Sequence, residues 1–268
     1  MPIPREAIDD LARRLHVAEQ TRERIPQISR AFPDMTMADG YAIQAAWLEI
    51  KRAEGRRTIG YKIGLTSRAM QQNAQSTEPD YGALLDNMLF AEGSEIPSER
   101  FITPLVEVEL AFILGRPLSG PGVSLFDVLA ATDYVVPALE IIDLRVQPVD
   151  PETKAMAKAL DSIADNAACG GVVVGGRPVR PDAVDLRWMG CLLHRNGVIE
   201  ETGLAAGVLN HPAMGIAWLA NKLAPFEISL QPGQILLCGS FTRPVLARRG
   251  DVFHADYGVL GGIGIRFT

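Results

Sequence analysis

The sequence predicts an α+β fold, with a mixed β-sheet rolled toward a barrel or sandwich behind an N-terminal helical subdomain. Three observations carry this. Apolar residues recur at helical spacing through residues 1–57. From residue 58 to 268 the texture changes to short apolar runs set off by Gly and Pro. Too few helices intervene between those runs for a regular βαβ repeat.

The elements follow in order. Ile8, Leu11, Leu15 and Ala18 form one helical face. Thr36-Met-Ala-Asp39 reads as a capping box opening a second helix. Its apolar face is Ile43, Ala46, Trp47 and Ile50, and Gly55 follows its end. TIGYKIGL reads as a strand, and SRAMQQN as a short helix capped by Ser67. VEVELAFILG, YVVPALEII, GGVVVGG, RWMGCLLHRNG, QILLCGS and GGIGIRF follow as strands. HPAMGIAWLANKL reads as a helix with Asn210 as its cap. Residues 147–168 are ambiguous: Asp150-Pro151 is a good helix start, but Gly170 and Gly171 close it quickly.

Composition excludes several function classes. The chain has 268 residues, 47% apolar and 22% charged, which is ordinary globular composition. A net charge of -6 argues against nucleic acid or anionic membrane as the main partner. No apolar run is long enough for a spanning helix. MPIPREAIDDLARRL lacks the apolar centre of a secretion signal. A cytoplasmic location is therefore expected, with Cys169, Cys191 and Cys238 as buried thiols. No HExxH, GxxxxGK[ST] or GxSxG pattern occurs, and the Gly-rich runs lack the strand–GxGxxG–helix context.

The residues that could carry chemistry are acids on apolar strands. In TPLVEVELAFILG, alternation puts Glu107 and Glu109 on one face, roughly 7 Å apart. Burying such like charges costs several kcal/mol per ion unless something compensates. Glu140 sits in a second apolar strand, YVVPALEIID. Three carboxylates from two strands could hold one hard cation and leave positions for water or substrate. Pairing with an arginine, or facing solvent, is the alternative. Lys62, alone among small and apolar neighbours in GYKIGLTS, could serve as an acid/base or an anion clamp, or be an ordinary edge-strand lysine. Asp80, between Pro79 and Tyr81-Gly82, reads first as turn chemistry.

Together, GYKIGLTS, PDYGALL, PLVEVELAFILG, ALEIID, ADNAACGGVVVGG and GSFTRP resemble the hydratase/decarboxylase branch of the fumarylacetoacetate hydrolase superfamily, in order and over nearly the whole chain. DPET, GGRPV, DLRWMG, RNGVIEETG and VLNHPAMGIAWLANKLAP are most similar to its seven-carbon dienedioate hydratases, which act in the meta-cleavage route for homoprotocatechuate. The resemblance implies Mg²⁺ or Mn²⁺ held by Glu107, Glu109 and Glu140, with Lys62 and Asp80 as the acid/base pair. It implies the family's mixed β-roll, a large homo-oligomer and an α-keto dicarboxylate substrate. Such a substrate can chelate the metal through its carboxylate and keto oxygens before water adds. Its distal carboxylate needs donors, and Ser240, Thr242 and Arg243 in GSFTRP are the candidates. Arg243 pairing with a surface acid is the rival reading. Decarboxylation of 4-oxalocrotonate and hydration of 2-oxopent-4-enoate use the same polar residues. A non-catalytic keto-acid-binding subunit is a reading of another class, against which Lys62 and Asp80 argue.

Overall fold

The computed structural model describes residues 3–268, so the first two residues of the N-terminal segment lie outside the described residues. Helices α1 (Arg5–Thr21), α2 (Ile28–Ala31) and α3 (Met37–Ala53) come first. Ile8, Leu11, Leu15 and Ala18 are buried along α1, as the periodicity predicts. The capping box at α3 is present: Thr36 Oγ1 accepts from Asp39 N, and Asp39 accepts from Thr36 N at 2.8 Å. These bonds satisfy donors that a bare helix start leaves open.

Next come β1 (Thr58–Gly64), α4 (Arg68–Asn73), β2 (Asp80–Leu85), β3 (Leu89–Phe90), β4 (Glu95–Ile96) and β5 (Leu105–Leu114). Then follow α5 (Leu125–Ala131), β6 (Thr132–Ile142), α6 (Ala159–Ala164), β7 (Cys169–Val174), β8 (Gly190–Arg195) and β9 (Val198–Leu204). The chain ends with α7 (Ala213–Leu223), β10 (Ile235–Leu237), β11 (Val245–Leu246), β12 (Val252–Asp256) and β13 (Gly262–Phe267).

The strands form two sheets. The larger has the order β2-β1-β10-β5-β6-β7-β3, with β11 also pairing with β5; the smaller has the order β4-β13-β12-β8-β9. Both are mixed, because β1/β10, β3/β7 and β4/β13 run parallel while the remaining pairs are antiparallel. The architecture is the predicted α+β class. Alternation gives the larger sheet two apolar faces. Val106, Val108, Leu110 and Phe112 of β5 face a cluster shared with α7 and the smaller sheet. Ala111 of β5 and Ala138 of β6 join a second cluster with Leu11, Leu15, Ile43 and Trp47 of the N-terminal helices. Each fully buried Leu or Ile there contributes about 1.5–3 kcal/mol.

Several local expectations need correction. Asp80 opens a strand rather than a turn, because its neighbours pair with β1 from Gly64↔Asp80 onward. Asn210 does not cap α7; the helix starts after Pro212, and His211 Nδ1 accepts from Ala213 N at 3.1 Å. Asp150-Pro151 opens a turn, not a helix. There the Asp150 carboxylate accepts from the N–H of Glu152 and Thr153, and the helix waits until Ala159. The three cysteines are buried and free, as expected of packed thiols.

Candidate metal centre

The carboxylates meet because of strand register. Glu107 of β5 stands opposite Glu140 of β6, and Glu109 stands two residues along, opposite Ala138. Period-two alternation turns all three side chains to one face. One oxygen from each lies within 4.8 Å of the others. Glu109 is 1% exposed and Glu140 is fully buried, while Glu107 is partly exposed. Glu109 Oε2 accepts from the backbone N–H of Gly239 at 2.7 Å. Its Oε1, and Glu140 Oε2, are buried without a hydrogen-bond partner among the described residues.

Such an arrangement is costly on its own. Burial, then the charge of Glu140, pushes Glu107 up to about 8. Burial, then Glu140 and Glu107, pushes Glu109 well above the carboxylate range. The donor set fits a hard divalent cation: three convergent carboxylates with open oxygens match the ligand preference of Mg²⁺ or Mn²⁺. Glu140 Oε1 also lies 3.2 Å from Lys62 Nζ, so one ammonium serves a cluster of acids that it cannot neutralise alone.

Lys62 lies on β1, between β2 and β10, and is 4% exposed. It is not an edge-strand lysine. Burial lowers its ammonium, but Glu140, Asp80 and Glu107 outweigh that and raise it. Asp80, 3% exposed on neighbouring β2, is raised by burial and by Glu140 against the opposing pull of Lys62. Its Oδ1 is buried without a hydrogen-bond partner among the described residues. Lys62 and Asp80 converge on Gly64. A Cβ there would lie 2.3 Å from Asp80 Oδ1 and 3.4 Å from Lys62 Nζ, so only glycine leaves room for both groups.

Ser240, Thr242 and Arg243 lie in the loop after β10 and line one cavity of about 340 Å³ together with Glu107. Ser240 Oγ donates to Thr242 O at 2.9 Å, which folds the loop on itself. Arg243 pairs with Glu201 at 2.6 Å, and its side chain is 84% exposed. Glu201 lines the same cavity. The structure therefore gathers Lys62, Asp80 and the glutamates into one polar cluster, and the loop candidates share a cavity with Glu107 of that cluster.

Three site residues escaped the sequence reading. Gly239, at φ 111°, donates to Glu109, and a Cβ there would strike Thr66 at 2.3 Å. The Gly before Ser240 was its only signal. Tyr257 sends its buried hydroxyl to the carbonyl of Ala138 at 2.6 Å, and that hydroxyl lies 3.0 Å from the carbonyl of Glu109. It thereby ties together the two strands that carry the acids. Gly64 completes the set.

Residues 54–267 match the family model described as fumarylacetoacetate (FAA) hydrolase C-terminal. The chain is 61% identical over 258 residues to 2-oxo-hept-4-ene-1,7-dioate hydratase of Escherichia coli, covering 96% of this chain and 97% of that one. It is 36% identical to 2-hydroxyhexa-2,4-dienoate hydratase of Comamonas testosteroni, covering 98% of each. The solved structure of 4-oxalocrotonate decarboxylase from Pseudomonas putida G7, complexed with magnesium and adipate, aligns with a TM-score of 0.93. It is 34% identical and covers 99% of each chain. Match length, identity and fold agree, and the chain belongs to the fumarylacetoacetate hydrolase family.

Proposed function

We propose that this chain is a divalent-metal-dependent hydro-lyase that adds water to 2-oxohept-4-ene-1,7-dioate to give 4-hydroxy-2-oxoheptane-1,7-dioate. The observation that carries the reading is the cluster of Glu107, Glu109 and Glu140 with Lys62 at 3.2 Å from Glu140, on a chain 61% identical to a hydratase of that name. Glu107, Glu109 and Glu140 would hold Mg²⁺ or Mn²⁺. A bound cation there supplies Lewis-acid polarisation of the 2-oxo group of an α-keto acid.

The chain's own residues do the rest. Asp80 takes and returns the mobile proton at Oδ1, the oxygen with no hydrogen-bond partner among the described residues. Its raised position, caused first by burial, makes it a better proton acceptor than an ordinary carboxylate. Lys62 Nζ stays an ammonium among the acids and steadies negative charge as a proton leaves carbon. Gly64 keeps both groups in reach of one reacting centre. Ser240, Thr242 and Arg243 meet the distal carboxylate of the seven-carbon dioate at the cavity mouth, where Arg243 exchanges its contact with Glu201 for the substrate.

In this reading the enzyme serves the meta-cleavage route for homoprotocatechuate, within 4-hydroxyphenylacetate degradation. It works in the cytoplasm as a large homo-oligomer, with residues 1–57 as a helical subdomain beside the catalytic roll. Among the described residues no helix is long and apolar enough to cross a membrane.

A second reading is 4-oxalocrotonate decarboxylation, favoured by 34% identity and a TM-score of 0.93 to such an enzyme. Mass analysis separates the two. With Mg²⁺ and the seven-carbon dienedioate, the hydratase reading expects a product heavier by one water. Loss of CO₂ from the six-carbon oxalocrotonate, with the seven-carbon substrate untouched, would replace it with the decarboxylase reading.

A further inference from the structure

A second polar cavity of about 320 Å³ opens where the ends of α1 and α3 meet the turn after β2 and the segment after β6. It lies apart from the metal cluster and shares no lining residue with the cavity that Glu107 lines. Five cations line it, Arg22, Lys51, Arg56, Arg100 and Arg145, against three carboxylates.

Those carboxylates are already engaged. Glu19 and Glu54 pair with Lys51, and Asp143 accepts from the N–H of Ile102 and Thr103, each at 2.7 Å. Arg145 pairs with Asp165. That leaves Arg22, Arg56 and Arg100. Arg22 Nε donates to the carbonyl of Glu99 at 2.9 Å, and Arg100 donates to the carbonyl of Asn87 and lies 4.8 Å from the Phe90 ring. Among the described residues none of the three forms an ion pair with a carboxylate. Burial lowers the Arg100 guanidinium, and the Arg22 and Arg56 charges lower it further against the opposing pull of Glu19.

The backbone adds an independent observation. Arg22 ends α1 in the left-handed region at φ 65°, a position that favours glycine. An L side chain costs roughly 1–2 kcal/mol there. That residue carries a guanidinium that lines the cavity and donates to the carbonyl of Glu99, the residue before Arg100.

We infer that this cavity is a binding site for a small multivalent oxyanion, phosphate or a short dicarboxylate, clamped by Arg22, Arg56 and Arg100. Guanidinium forks suit such oxygens bidentately, and the cavity's size falls within the range of ligand pockets. Asp143 and Arg145 follow closely on the strand that carries Glu140, so an occupant would brace that end of β6.

Calorimetric titration of the metal-loaded protein with inorganic phosphate, and separately with succinate, tests the site. The expected result is saturable binding of one anion per chain, weakened by added salt, together with an anion-dependent rise in melting temperature. R56M should weaken that binding by about 10-fold or more, the worth of one charge-assisted hydrogen bond. Arg56 is exposed, so this variant remains interpretable if R100M destabilises the chain. The tighter of the two probes identifies the source of the oxyanion. Absence of binding by both probes, or binding unchanged in R56M, as expected for anions held at the metal centre, overturns the inference.

Discussion

Glu109 shows how much one residue's surroundings decide. Its carboxylate is 1% exposed, accepts one backbone N–H and leaves one oxygen open. A cation resolves that situation, and so would replacement by an apolar residue, at the expense of the chemistry. The roles proposed for Lys62 and Asp80 are tested at the same scale. Lys62→Met and Asp80→Asn should fold and keep their Mg²⁺ affinity while turnover falls by about 10²–10⁴-fold each, the usual worth of general acid/base help. Steady-state rates beside metal titrations check this; turnover near wild type in either variant would make that residue structural. Gly64→Ala places a methyl 2.3 Å from Asp80 Oδ1. It should lower turnover by about 10²-fold, the cost of a small misplacement, with metal affinity retained. Equal loss of metal binding would mean that the methyl disturbs the whole cluster. At this scale the acids were legible because alternation is a rule of period two, and an acid on a greasy strand stands out. Gly239 and Tyr257 were not, because their contacts reach β5 from 130 and 148 residues away in sequence.

Elements follow their own logic. Helices α1 and α3 were legible from apolar spacing and a capping box, both local signals. Thr36→Ala should cost about 1 kcal/mol by urea unfolding with turnover unchanged; no change in stability would show that Asp39 alone holds the helix start. Asp80, at the start of β2, has turn chemistry locally between Pro79 and Tyr81-Gly82, and only pairing with β1 overrides it. Strand β9 is exposed at alternate and adjacent positions, which hides its period from a sequence reading. The Asp150 turn supplies a pH test. Bonds from Thr153 N–H chiefly, with the Thr153 hydroxyl and Arg30, lower its carboxyl to about 2, below its unfolded value of roughly 3.9. A depressed acid stabilises above the unfolded value, and that stability disappears as pH falls through the folded one. Unfolding midpoints should therefore drop between about pH 4 and pH 2, and the drop should be smaller in Asp150→Asn. An identical acid-side slope in both proteins would remove Asp150 from the account.

For the whole molecule, the sheet order places β1, β10, β5 and β6 side by side, which brings Lys62, Gly239, Glu109 and Glu140 together from across the chain. Strand pairing of this kind is a long-range outcome, so composition and periodicity reached the α+β class, while the resemblance supplied the rest. The proposed reading of substrate chain length also belongs at this scale, because Glu107 and Arg243 line one cavity. Arg243→Leu should raise KM for the seven-carbon dioate and leave a shorter monoacid dienoate unaffected, with kcat changed less because the contact is uniform binding. Equal losses on both substrates, or none, would leave Arg243 as a surface partner of Glu201. The central claim is that Glu107, Glu109 and Glu140 form one metal centre, and calorimetric titration with Mg²⁺ tests it most directly. Wild type should bind one cation per chain, and Glu107→Gln, Glu109→Gln and Glu140→Gln should each weaken it at least as much as the 10–100-fold typical of losing an outer-shell partner. Unchanged Mg²⁺ affinity in all three variants would contradict the account.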